Sequence, residues 1–151
     1  MIHLTISPAY EADIEPSLLE QAATAALRHQ GASRDAELAI VIENDEKLHE
    51  LNREYLGEDH PTDVLSFAAD EVDPETGNHY LGDILISYPR AAAQAQAAGH
   101  PVESELQLLV VHGVLHLLGH DHLHEEEKAV MWAAQNEILT SLGTRLSRFP
   151  D

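Results

Sequence analysis

The sequence predicts an α/β (α+β) fold, a mixed sheet of about four strands with about five helices packed on it, forming one domain over residues 1–151. Three observations point there. Segments of alternating hydrophobicity exchange with segments of helical period over the first two thirds of the chain, and helical period alone fills the rest. No Pro/Ser-rich linker, long charge block or internal repeat divides the chain. Its 151 residues are enough for one core that removes about 68–70% of the unfolded surface from water.

The elements follow in order. "MIHLTIS" alternates apolar and polar residues, as a strand with one buried face does. In "EPSLLEQAATAALRHQG" Ser17 and Glu20 have capping-box spacing, the apolar residues recur at helical period, and Gly31 ends the helix. "AELAIVIEN" is aliphatic and β-branched, a second strand. Asn44 or Asp45 then caps "DEKLHELNREYLG", which closes at Gly57. Pro61 forces an extended start on "HPTDVLSFAAD", leading into a third strand at 64–68. "DEVDPETGNHY" is polar turn material, and "YLGDILISYP" is the fourth strand. Helices are expected at 89–98, broken by Gly99 and Pro101, at 103–118, and at 124–142. The biased run "AAAQAQAA" belongs to the first of these, because Ala and Gln favour helix.

Composition narrows the function classes. The N-terminus lacks the basic and long apolar regions of a signal peptide, and the longest apolar stretch falls short of a bilayer span. Without cysteine there is neither a disulfide framework nor a thiolate metal site. A soluble cytoplasmic protein with no membrane partner is expected. The net charge of −19, from eight Lys and Arg against 27 acids, by itself opposes nucleic-acid binding.

Against that background stands "VVHGVLHLLGHDH", an apolar run carrying four histidines. His112 and His116 are one turn apart on one helical face, where two imidazoles can share an ion. Gly119 ends the helix and can return His122 to the same point. The spacing H-x3-H-x2-G-x2-H is that of metzincin proteases, but Gly113 occupies the position of their general-base glutamate. What remains is a three-histidine metal site with an open fourth position, an arrangement used for catalysis. Three imidazoles suit zinc, and nickel, copper and iron also accept them. His120 and His124 point elsewhere in this geometry. Asp121 reads equally as an acceptor orienting a ligand or as a solvated turn residue. Isolated histidines such as His3, His29 and His49 read as hydrogen-bonded boundary residues.

"HGVLHLLGHDH" resembles the H-G-x-L-H-L-x-G-x-D-H motif of the YbeY endoribonuclease family. Three more blocks agree in order: "LNREYLGEDHPTDVLSF", "LGDILIS" and "HEEEKAVMWAAQNEIL". By that resemblance the metal ligands fall on His112, His116 and His122, with one zinc per chain. It implies cleavage of single-stranded RNA, 3′-end maturation of small-subunit (16S) ribosomal RNA and a part in late ribosome quality control. The family commonly has an arginine where this chain has Leu56, and Arg53, three residues earlier, could present a guanidinium from a neighbouring place.

The expected function is therefore a zinc-dependent endoribonuclease, with water or the ribose 2′-hydroxyl as nucleophile and no general base assigned. Its partners would be single-stranded ribosomal RNA and a basic ribosomal protein, not DNA. The competing readings are a metallopeptidase, which Gly113 opposes, and a non-catalytic ribosome-assembly factor whose zinc is structural. The last would explain the acidic surface, since such a surface can bind basic proteins.

Overall fold

The structure, a computed structural model, describes residues 1–121 and 123–144. Four strands form one mixed sheet in the order β1-β2-β4-β3, where β1 is Ile2–Ile6, β2 Ala36–Glu43, β3 Val64–Val72 and β4 His79–Ser87. β1, β2 and β4 run parallel, and β3 joins β4 antiparallel as a hairpin. The helices are α1 Pro16–His29, α2 Asp45–Leu56, α3 Tyr88–Ala98, α4 Val102–Leu117 and α5 Glu125–Leu142. A short 3-10 helix, Pro8–Asp13, precedes α1.

Most boundaries agree with the sequence pattern, and the differences have local causes. Pro16 occupies the first turn of α1, so its N-cap is Glu15 and the Ser17 hydroxyl donates to the Glu15 carboxylate instead of closing a capping box with Glu20. β3 runs past the expected end at residue 68 to Val72, crossing a bulge between Ala68 and Glu71 at which Asp70 takes φ 50°. At α2 the expectation holds: Asn44 Oδ1 accepts from the Lys47 amide at 2.7 Å.

The core lies between the sheet and the helices around α4. Ile40, Ile42, Ile84 and Ile86 from the two central strands are wholly buried, as are Val110, Val111, Val114 and Leu115 of α4 and Met131 and Leu139 of α5. α4 is buried on nearly every side, which is why its sequence reads as a continuous apolar run and not as an amphipathic stripe. Gly113 lets it lie close on β4, because a methyl group there would stand 2.7 Å from Ile84 Cγ2. On the opposite flank Arg90 of α3 makes a two-pronged pair with Asp45 at the start of α2, at 2.9 and 3.1 Å, and holds that carboxyl below the usual carboxylate range. This clamp steadies α2, whose last residue, Leu56, reaches the cleft beside α4. Among the described residues no helix is long and apolar enough to cross a membrane.

Candidate metal centre

His112 and His116 lie near the C-terminal end of α4, half-buried, on the side that turns from the core towards β3. They line a cleft of about 470 Å³, together with Leu56, Thr62, Val64 and Ser66. The two Nε2 atoms are 3.1 Å apart and the rings are inclined at 73°. Nitrogens each roughly 2.0–2.1 Å from one tetrahedral ion stand about 3.3 Å apart. The pair therefore fits a shared metal ion with almost no rearrangement.

α5 supplies the support. His112 Nδ1–H donates to Gln135 Oε1 at 3.2 Å, which leaves the Nε2 lone pair directed at His116. Gln135 is itself fully buried, and Trp132 lies beside the His112 ring at 5.7 Å between centroids. Sequence pattern alone did not single out either residue. A signal was present in Gln135, which interrupts the buried stripe of Met131, Ala134, Ile138 and Leu139, and a polar group in such a stripe needs a partner.

The end of α4 forms the expected chain reversal. The Gly119 amide donates to the His116 carbonyl at 3.0 Å, and the His120 amide donates to the Leu115 carbonyl at 3.0 Å. This is a Schellman turn, and it requires the left-handed conformation that Gly119 adopts at φ 98°. His122 lies outside the described residues. Among the described residues no group of three His, Asp or Glu side chains is arranged to hold a metal ion.

Other histidines divide as their isolation in the sequence implies. His120 turns to α1, its Nε2 2.6 Å from Gln30 Oε1, and His124 is the N-cap of α5. Asp121 lines a separate depression with His120, Glu126 and Glu127. His3, His29 and His49 pair with Glu37, Glu137 and Asp59 at the boundary or surface. Arg53 is not brought to the cleft. It lines another hollow with Lys47 and His49, being offset from Leu56 by about 4.5 Å along α2 and about 60° around its axis. Leu56 occupies the cleft itself, 53% exposed.

The family model described as Endoribonuclease YbeY matches residues 9–143. The Endoribonuclease YbeY of Roseiflexus castenholzii is 44% identical over 148 residues, covering 95% of this chain and 93% of that protein. That of Halalkalibacterium halodurans is 50% identical over 115 residues, covering 71% and 72%. The solution structure of TM1509 from Thermotoga maritima has the same fold, with a TM-score of 0.59 at 24% identity over 100% of this chain and 97% of that one. The family match spans the α2–β3 wall, the histidines of α4 and the α5 residues behind them. On that breadth of agreement, the chain belongs to the YbeY endoribonuclease family.

Proposed function

We propose that this chain is a metal-dependent endoribonuclease that cleaves single-stranded RNA. Its place is in 3′-end maturation of 16S ribosomal RNA and late ribosome quality control, in the cytoplasm. One Zn2+ would be held by His112, His116 and His122. Family membership supports RNA cleavage. The observation that carries the metal reading is the 3.1 Å approach of two imidazole Nε2 atoms, with one ring oriented by a buried carboxamide.

When bound, such an ion supplies positive charge to phosphoryl oxygens and makes water a stronger acid. The protein's own part is to hold the rings. Gln135 fixes the tautomer of His112, the buried faces of α4 fix the spacing of the two ligands, and the Schellman turn redirects the chain after them. No Lys or Arg lines the cleft among the described residues, so phosphate neutralisation there falls to the ion. A peptidase reading lacks its base, since position 113 faces Ile84 with no space for a carboxylate. A basic ribosomal protein remains the natural partner for a surface of net charge −19.

The test is cleavage of a single-stranded RNA by the metal-loaded protein, by the chelated protein and by His116→Ala. Turnover by the first alone supports the proposal. Zinc binding without turnover, with unfolding on ligand loss, would make the metal structural and the protein an assembly factor.

A further inference from the structure

The outer edge of β3 is unpaired among the described residues, because the sheet ends there. Which backbone groups it presents follows from the register. The Ser87 amide donates to the Asp63 carbonyl at 2.9 Å, and Leu65 and Phe67 lie opposite Leu85 and Asp83. In an antiparallel ladder the residues at this phase turn their N–H and C=O towards the partner strand, and the alternate ones turn theirs away. Val64, Ser66 and Ala68 therefore face outward. The Val64 carbonyl accepts from the Thr62 hydroxyl at 3.3 Å, while the remaining N–H and C=O groups at these positions alternate along the edge. Pro61 precedes this stretch and the bulge after Ala68 ends it, leaving five residues, about 17 Å of regular edge.

Exposed edges are usually blunted by lysine, proline or a covering element. No lysine or proline falls within residues 64–68. The flanking sequence is instead acidic. Between Arg53 and Arg90 there is no Lys or Arg at all, against nine Asp and Glu, including Glu58, Asp59 and Asp63 before the edge and Asp70 and Glu71 after it. Apolar surface lies at the same place: Tyr55, 66% exposed, packs edge-on against Phe67 of β3, and Leu56 lies over the adjoining cleft.

We infer that residues 64–68 of β3 receive an extended cationic polypeptide segment as a fifth strand of the sheet. Two properties favour polypeptide over RNA. Alternating donors and acceptors match another peptide backbone, whereas a phosphodiester chain presents a row of anionic acceptors. The charge of the segment between Arg53 and Arg90 attracts Lys and Arg and repels phosphate. Val64, Ser66 and Ala68 also line the cleft of His112 and His116, so a bound segment would compete with RNA there. Peptide binding is measured without RNA, so its failure and a failure of RNA cleavage are separate results.

The probe is a fluorescent nine-residue peptide of alternating Lys and Val, added to the full chain. A second peptide of the same sequence is N-methylated at alternate residues, keeping its charge but losing one edge of donors. The first should bind at least tenfold more tightly, and the amides of Val64, Ser66 and Ala68 should gain tenfold or greater protection from hydrogen exchange. Ser66→Pro removes an outward N–H while leaving the ladder to β4 intact, a position where an edge strand tolerates proline. It should weaken the first peptide at least tenfold with an unchanged circular dichroism spectrum. Equal binding of the two peptides, or no binding at 1 mM, overturns the inference without any variant. Protection of the same amides by a single-stranded RNA and not by the peptide would assign the edge to nucleic acid instead.

Discussion

The histidines of the surface and those of the cleft differ in the company they keep. His3, His29, His49, His60 and His79 each set Nε2 against a carboxylate. His112 and His116 set Nε2 against each other, and a neutral carboxamide takes the remaining N–H of His112. A carboxylate partner suits an imidazole that carries its proton at that nitrogen. Two facing nitrogens 3.1 Å apart, one of them held as an acceptor by Gln135, can share either a proton or a metal ion. Residue type is the same in both regions, and the neighbour decides the chemistry.

Removing a cleft histidine should have the largest effect. His112→Ala is expected to lose the metal ion and RNA cleavage together, whereas His49→Ala keeps both, as elemental analysis and an RNA assay would report. Equal metal content in the two variants would erase the distinction between the regions.

An intermediate case is the pair of His100 and Glu105, 2.7 Å apart with side chains only 4% and 8% exposed. Burial makes this pair unlike the surface ones. Glu105→Ala should lower stability by about 1–3 kcal/mol in denaturant unfolding, since a buried hydrogen bond to His100 is lost. At exposed pairs such as His29–Glu137 the same experiment should give less than about 1 kcal/mol.

Gln135→Leu tests the carboxamide directly. It preserves volume but removes the acceptor for His112 Nδ1–H, and metal affinity should fall about 10–100-fold, read by competition with a chelating dye. Unchanged affinity would make Gln135 a packing residue only.

The smallest effect belongs to His60. Its Nδ1–H donates to the Pro61 carbonyl at 3.1 Å, and that bond, with Glu58 beside it, raises its pKa above 6.5. A pKa raised by folding contributes stability that is complete below the unfolded value and disappears as pH rises through the folded one. NMR titration of the ring should therefore give a midpoint above 6.5. A midpoint at or below that value would show that the Pro61 contact does not persist in solution.

Much of this was legible in the sequence because it is local. Asn44 caps α2 through a bond three residues away. The turn at Gly119 closes α4 through the Gly119 amide to a carbonyl three positions back and the His120 amide to one five positions back, so spacing alone announces both. The approach of His112 and His116 is equally local, one turn of one helix. What spacing could not give was anything that depends on another element. Gln135 meets His112 across 23 residues because α5 packs on α4. The extension of β3 through polar residues to Val72 depends on β4 as a template, since "DEVDPETGNHY" has no strand pattern of its own. Arg53 illustrates the converse: nearness to Leu56 along the helix did not put it in the cleft.

The contact between position 113 and Ile84 also constrains the paths by which this scaffold could change its trade. Gly113→Glu would complete the metalloprotease pattern H-E-x-x-H by one substitution, yet the new side chain would start inside the volume of Ile84 and push α4 off the sheet. A lineage moving in that direction would first have to shrink residue 84, leaving a void in the centre of the core that lowers stability with no activity to select for. The two substitutions are contingent, and the necessary first one is harmful alone. A single van der Waals contact thus acts as a historical barrier, isolating this histidine pattern from the proteases whose spacing it shares.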